Sequence, residues 1–375
     1  MRTDRLLIFS ALIGLVLVAA PAFRAVDTLP RTLTDDAFRQ MVSDFSEDGG
    51  YFRFEYMSNE REFQYVIPRL KETTKPGGAY LGVGPEQNFT YIAAAQPKMA
   101  FLFDIRRQNL LEHLIYKAVF EMSTNRADFI SKLFSRKIPA GLTEKTTVTA
   151  MFQAFRTAAP DDRLFGQNLQ TIKDDLIKHR GFQLSNEDLS QIDQIYETVF
   201  RGGPGPGRND LYGGGFARGA TYADLMTETD GKGQARSYLA TEENFAFVRQ
   251  MQRENRIVPL VGDFAGPKAL RTVGQYLKDH GAAVSVFYTS NVEQYLFQQG
   301  DDWSRFFANV ATMPLDSSST FIRSSHMSYD NVSGRPSRVV AGGNFISLLC
   351  PMQNLISAFN NGRVQTYDQV IQMSK

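Results

Sequence analysis

The sequence predicts an α/β fold: a doubly wound, mostly parallel sheet interrupted by a helical insertion. Three observations predict it. Ala79 to Val83 reads as a strand that runs into a glycine turn, Gly82-Val83-Gly84, and then a helix. Met99 to Asp104 is apolar until its last residue, as a parallel strand covered on both faces must be. Strand and helix patterns alternate again after residue 242, with strands at 256–261 and 283–288.

The elements follow in order. Met1 to Arg5 is a short basic start, and Leu6 to Ala20 is an apolar run of fifteen residues. Ala20-Pro21-Ala22 then offers small residues at the positions a signal peptidase reads. Residues 1–22 therefore read as a signal peptide, or as an uncleaved N-terminal anchor. The run is short for a span of roughly 20 residues. Either way the domain is expected outside the cytoplasm, periplasmic or extracellular. Residues 23–78 read as a linker and helical extension, with an N-cap at Thr34 and a helix over 60–70.

The main domain is expected over 79–345. Helices are predicted at 88–96 and 107–122, the second with a wide apolar stripe. The next strand is displaced by an insertion, 123–245, with helices at 126–134, 145–157, 166–178 and 187–200. The insertion ends in a segment rich in glycine between 202 and 219. Helix 242–254 returns to the sheet. Pro267 opens a helix that runs to His280, and 292–298 is another helix. Further strands are expected at 320–323 and 338–340, with Ser317 to Thr320 starting as loop. Residues 346–375 read as a helical tail.

Composition excludes several functions. The net charge of +1 gives no electrostatic case for a nucleic-acid partner. One cysteine, Cys350, excludes an internal disulfide and a cysteine-based zinc site. His113, His179, His280 and His326 show no metal-ligand spacing, so no metal is expected. His280 should meet its helix C-terminus and His113 should be partly exposed. Arg106 and Arg107 suit an anionic ligand or a solvated helix start, and the second is expected.

The chemistry concentrates at strand ends. Gly82 and Gly84 allow a tight turn and close approach of a ligand, and the helix after them points free N–H groups at the same place. Asp104 stands twenty positions after Gly84, where such folds set a carboxylate against ribose hydroxyls. Gln87 occupies the position where the dinucleotide fingerprint has its third glycine, which disfavours NAD or FAD. Asp263 can cap or brace its turn, or face a ligand. Ser290-Asn291-Val292-Glu293 is a capping box by pattern, at a strand end that faces the sheet crevice.

Gly82 to Phe89, Phe103 to Arg107, Val261 to Gly266 and Phe287 to Leu296 together resemble an uncharacterised bacterial family. Its domain is similar to the class I S-adenosylmethionine-dependent methyltransferase fold, which is Rossmann-like, and the resemblance covers roughly residues 40–345. It implies S-adenosylmethionine as cofactor and leaves the acceptor unknown. It implies that Gly82, Gly84, Glu86, Gln87 and Asn88 hold the methionine part, and that Asp104 with Ile105 holds the ribose. Asp263 and Phe264 would lie near the adenine. Tyr288, Asn291 and Glu293 would orient the acceptor, with Glu293 able to take its proton. Export argues against this, because S-adenosylmethionine is made in the cytosol. An exported, non-catalytic binding module of the same fold is the competing expectation, and an NAD-type oxidoreductase a weaker one.

Overall fold

The computed structural model describes residues 27–52, 56–204, 220–326 and 345–375. Its centre is one six-stranded sheet in the order β3-β2-β1-β4-β5-β6. The strands are β1 (Ala79–Val83), β2 (Met99–Asp104), β3 (Ile257–Val261), β4 (Val284–Ser290), β5 (Leu315–His326) and β6 (Phe345–Pro351). Neighbours from β3 to β5 pair in parallel, and β6 pairs antiparallel with β5. The chain winds outward from β1 to β3, then returns to place β4 on the other side of β1. That reversal is the switch point at which open α/β sheets leave a crevice.

Burial explains the strands. All six residues of β2 and all five of β3 are buried. Each large apolar side chain, such as Phe101, contributes about 1.5–3 kcal/mol by leaving water. Helices α1 (Asp35–Phe45), α2 (Ile67–Thr73), α3 (Gln87–Ala95) and α4 (Arg107–Met122) precede the insertion. Helix α4 lies on β2 and β3, and α3 on β1 and β4. It carries buried residues on nearly every side rather than along one stripe, because insertion helices cover the face turned from the sheet.

The insertion comprises α5 (Arg126–Phe134), α6 (Val148–Thr157), α7 (Asp162–Asp174), α8 (Asn186–Gly202) and α9 (Tyr222–Thr227). A capping box at Ser185 and Asp188 opens α8, as its sequence predicts. Helix α10 (Glu242–Arg253) packs on α3 and α4. Buried Arg126 clamps the insertion to it, donating to the carbonyls of Leu239 and Ala240 at 2.9 and 3.0 Å and to Glu242 at 2.8 Å. Helices α11 (Ala269–Asp279), α12 (Val292–Leu296) and α13 (Asp302–Ala311) follow β3 and β4.

Several expectations need correction. The predicted helix over 60–70 is a 3-10 turn at Phe63–Val66 followed by α2. Ser317 to Thr320 is strand, not loop, because Ser319 donates to the Val284 carbonyl of the neighbouring β4 and Thr320 pairs with Val286. The C-terminal tail begins with β6 before its helices Met352–Asn360 and Tyr367–Gln372. Its apolar residues 348–350 complete the sheet edge. The signal segment 1–22, the expected strand 338–340 and most of the glycine-rich segment lie outside the described residues. Among the described residues no helix is long and apolar enough to cross a membrane.

Candidate functional site

The carboxyl ends of β1, β2, β3 and β4 surround a cavity of about 240 Å³ at the switch point. Each strand contributes through the turn that follows it. The segment before β1 supplies the remaining wall, through Phe52 and through Ser58, Asn59 and Glu60.

The turn after β1 presents Val83, Gly84 and Pro85 to the cavity. Gly84 has φ of +76° and open space where a Cβ would stand, so glycine serves the backbone conformation there. Gly82 serves a different need. A Cβ at Gly82 would run into the Asn88 side chain and the Tyr80 ring. Asn88 uses that space to hold the turn from behind. Its Nδ2 donates to the carbonyls of Val83, Gly84 and Pro85 at 2.9, 3.0 and 2.8 Å, and its Oδ1 accepts from Tyr80 at 2.9 Å. Gly82, Glu86, Gln87 and Asn88 therefore brace the cavity and do not line it. The expectation that they hold a ligand directly is corrected. The Glu86, Gln87 and Asn88 side chains are buried in the protein, where α3 and its N-cap are covered almost all round.

At the end of β2, Asp104, Ile105 and Arg106 all line the cavity. Arg106 is not solvated. Its Nε donates to Asp104 Oδ1 at 2.7 Å, its Nη2 to Oδ2 at 2.5 Å, and its backbone N–H to Oδ1 at 2.9 Å. The carboxylate thus reaches a ligand only through its remaining lone pairs. Arg107, also expected to be solvated, pairs with Asp188 at 2.6 Å. At the end of β3, Asp263 and Phe264 line the cavity together. Asp263 Oδ1 accepts the Ala265 N–H at 2.9 Å, so it braces its turn while facing the cleft. The Phe264 ring stacks on Phe306 and meets Phe287 edge-on, which fixes it.

The end of β4 brings Tyr288, Ser290 and Asn291 to the cavity. Ser290 has φ of +52°, a strained conformation for a side-chain residue. The expected capping box is absent: Asn291 stands at the N-cap without a side-chain bond to the helix N–H groups, and Ser290 Oγ turns instead to Glu60. Glu293 faces away from the cavity. It forms a buried pair with Arg323 of β5, whose Nε and Nη2 donate to it at 2.6 and 3.0 Å. The expectation that Glu293 meets the acceptor is corrected, because Arg323 is itself wholly buried and requires this counter-charge.

Glu60 is the residue that sequence reasoning missed. It is 2% exposed, lines the cavity, and receives four side-chain donors. Tyr288 donates at 2.9 Å and Gln87 at 3.0 Å; Ser290 and Ser324 complete the set. Burial pushes the Tyr288 phenol well above its ordinary pKa, so it stays a donor. The donors come from α3, β4 and β5, and no local pattern around Glu60 announces them.

Behind the turn lies a second polar group. Glu86 is wholly buried and accepts the Ser58 N–H at 3.1 Å. Burial pushes its carboxyl up to about 7. Glu112 of α4 is also buried, with neither oxygen hydrogen-bonded among the described residues, and burial, with the nearby Glu86 carboxylate, pushes its carboxyl well above the ordinary range. His113, expected to be partly exposed, is buried against Phe89. Its Nε2 lies 2.9 Å from the Gly84 carbonyl, and burial lowers its pKa to about 4. His280 caps α11, with Nδ1 2.8 Å from the Tyr276 carbonyl.

The family model for a domain of unknown function, DUF7790, matches residues 56–371. The chain belongs to this family. No curated protein matches the sequence. The family's span takes in Glu60, the glycine turn, Asp104, Asp263 and the end of β4, so all of these are parts of the DUF7790 domain. Phe52, on the rim of the cavity, precedes it.

Proposed function

We propose that the protein binds S-adenosylmethionine, or a related nucleoside, in this cleft, as a methyltransferase-type protein. The observation that carries the reading is the charge of the cavity wall. Glu60, Asp104 and Asp263 line it, and the one cationic side chain among its described lining residues, Arg106, is bound to Asp104. Such a wall suits the net positive charge of S-adenosylmethionine, whose sulfonium and ammonium groups outweigh its one carboxylate. It opposes the pyrophosphate of NAD, which needs free donors or cations.

In this reading the sugar hydroxyls meet Asp104 and the adenine lies against Phe264 and Asp263. The cationic end lies toward Glu60. Methyl transfer then needs mostly alignment. The acceptor's lone pair attacks the methyl carbon, the C–S bond breaks with its electrons staying on sulfur, and the acceptor's proton leaves to water. Asn291 orients the acceptor, while Tyr288 holds Glu60.

Calorimetric titration of the full chain tests this. S-adenosylmethionine and S-adenosylhomocysteine should bind, and NAD should bind far more weakly. Failure of both S-adenosyl ligands at saturating concentration defeats the reading. A second reading is an exported binding module without turnover, favoured by the burial of Glu293 in its ion pair. It predicts that S-adenosylmethionine binds but is never converted to S-adenosylhomocysteine when acceptor mixtures are supplied.

A further inference from the structure

The cleft has two unlike ends. Its floor is polar, built around Glu60, Asp104 and Ser290, whereas its mouth is aromatic. Phe52 and Tyr295 both line it, with ring centroids 5.2 Å apart and planes at 76°. Phe52 is 41% exposed and Tyr295 36% exposed. Among the described residues only five large apolar side chains are this exposed. Phe52, Tyr295 and the adjoining Tyr51 make up three of them. The Arg106 guanidinium sits 5.9 Å from the Phe52 ring centre and helps fix that ring at the rim. Edge-to-face rings set at a cavity mouth leave apolar faces in water, which a flat ring system can cover.

We infer that this mouth accepts a planar, uncharged aromatic small molecule. Under the nucleoside reading, on which the inference rests, that molecule is the acceptor. The wall's charge excludes an anionic ring compound, because Arg106 is already bound to Asp104. Val292 and Leu296, on the same wall as Tyr295, supply apolar contact to the ring's edge.

The test titrates the mouth and the polar floor separately on the full chain. The probes for the mouth are 2-naphthol, its anionic relative 2-naphthoate and the saturated alcohol decalin-2-ol, each titrated in the presence of S-adenosylhomocysteine. 2-Naphthol should bind more tightly than the other two. Phe52→Ala and Tyr295→Ala should each weaken it about three- to tenfold, the usual size of one aromatic contact. Tyr295→Phe should restore it, and S-adenosylhomocysteine affinity should stay within about twofold throughout, since both rings lie at the mouth and not at the polar floor. Equal binding of decalin-2-ol, or unchanged 2-naphthol affinity in both alanine variants, overturns the inference while the nucleoside titration stands. Loss of S-adenosylhomocysteine binding in the unmodified chain defeats the underlying reading instead. Thermal melting of the variants should match that of the unmodified chain closely, as expected for exposed side chains.

Discussion

Tyr288 and Glu60 meet inside the cleft, the phenol donating to Glu60 Oε2 at 2.9 Å across 228 positions of sequence. The contact joins the end of β4 to the segment that precedes the sheet. It makes a buried carboxylate part of the wall of the cavity. Four side-chain donors, from Gln87, Tyr288, Ser290 and Ser324, satisfy its two oxygens.

Glu60→Gln removes the charge and keeps the shape. S-adenosylmethionine affinity should fall about tenfold, a loss of about 1.4 kcal/mol. S-adenosylhomocysteine, which lacks the sulfonium charge, should lose less. Calorimetry on both ligands reads the difference. Equal losses would detach Glu60 from the sulfonium.

Asp104→Ala removes the carboxylate that accepts three hydrogen bonds from Arg106, which is 7% exposed. Losing charge-assisted bonds of this kind costs about 1.5–3 kcal/mol. Denaturant unfolding should register that loss, and nucleoside affinity in the folded fraction should fall at least about tenfold. Full affinity in the variant would remove Asp104 from the ligand.

Glu293→Gln should also destabilise the fold by about 3–5 kcal/mol, because it leaves Arg323 without its counter-charge. Nucleoside affinity of the folded variant should be unchanged within about twofold, since Glu293 does not face the cavity. Any methyl transfer should keep its pH profile. A pH profile that loses its acidic limb would restore Glu293 as a proton acceptor.

Glu86 sets a pH dependence of stability. Its carboxyl is raised by burial from 4.5 to about 7 in the folded chain. Between those values the folded state holds a proton that the unfolded state has released. The stabilising contribution is complete below about pH 4.5 and is lost as pH rises to 7, roughly 3 kcal/mol in all. Glu112 acts in the same direction. His113, lowered by burial to about 4, acts oppositely, costing stability as pH falls from 6.5. Glu86→Gln should therefore flatten the decline in unfolding free energy between pH 5 and 8. An unaltered slope would mean that Glu86 ionises normally.

The sequence by itself determined the parallel strands of the sheet and the place of the crevice. The apolar run of β2 and the glycine turn after β1 are local consequences of burial on both faces and of backbone freedom at Gly84. The same holds for the helix start at Ser185, where cap and first turn are neighbours in the chain. Tertiary structure decided which side chains face the cavity. Asn88 and Gln87 occupy ligand-like positions in the pattern, yet packing of α3 turns them inward, Asn88 to brace the turn and Gln87 to hold Glu60. Glu293 has the spacing of a capping box, but buried Arg323 claims its carboxylate. Ser317 to Thr320 is polar enough to read as loop, and only the neighbouring strand makes it part of the sheet. Glu60 lies in an unremarkable stretch because its partners are supplied by distant elements, and a contact between residues far apart in the chain leaves no spacing to read.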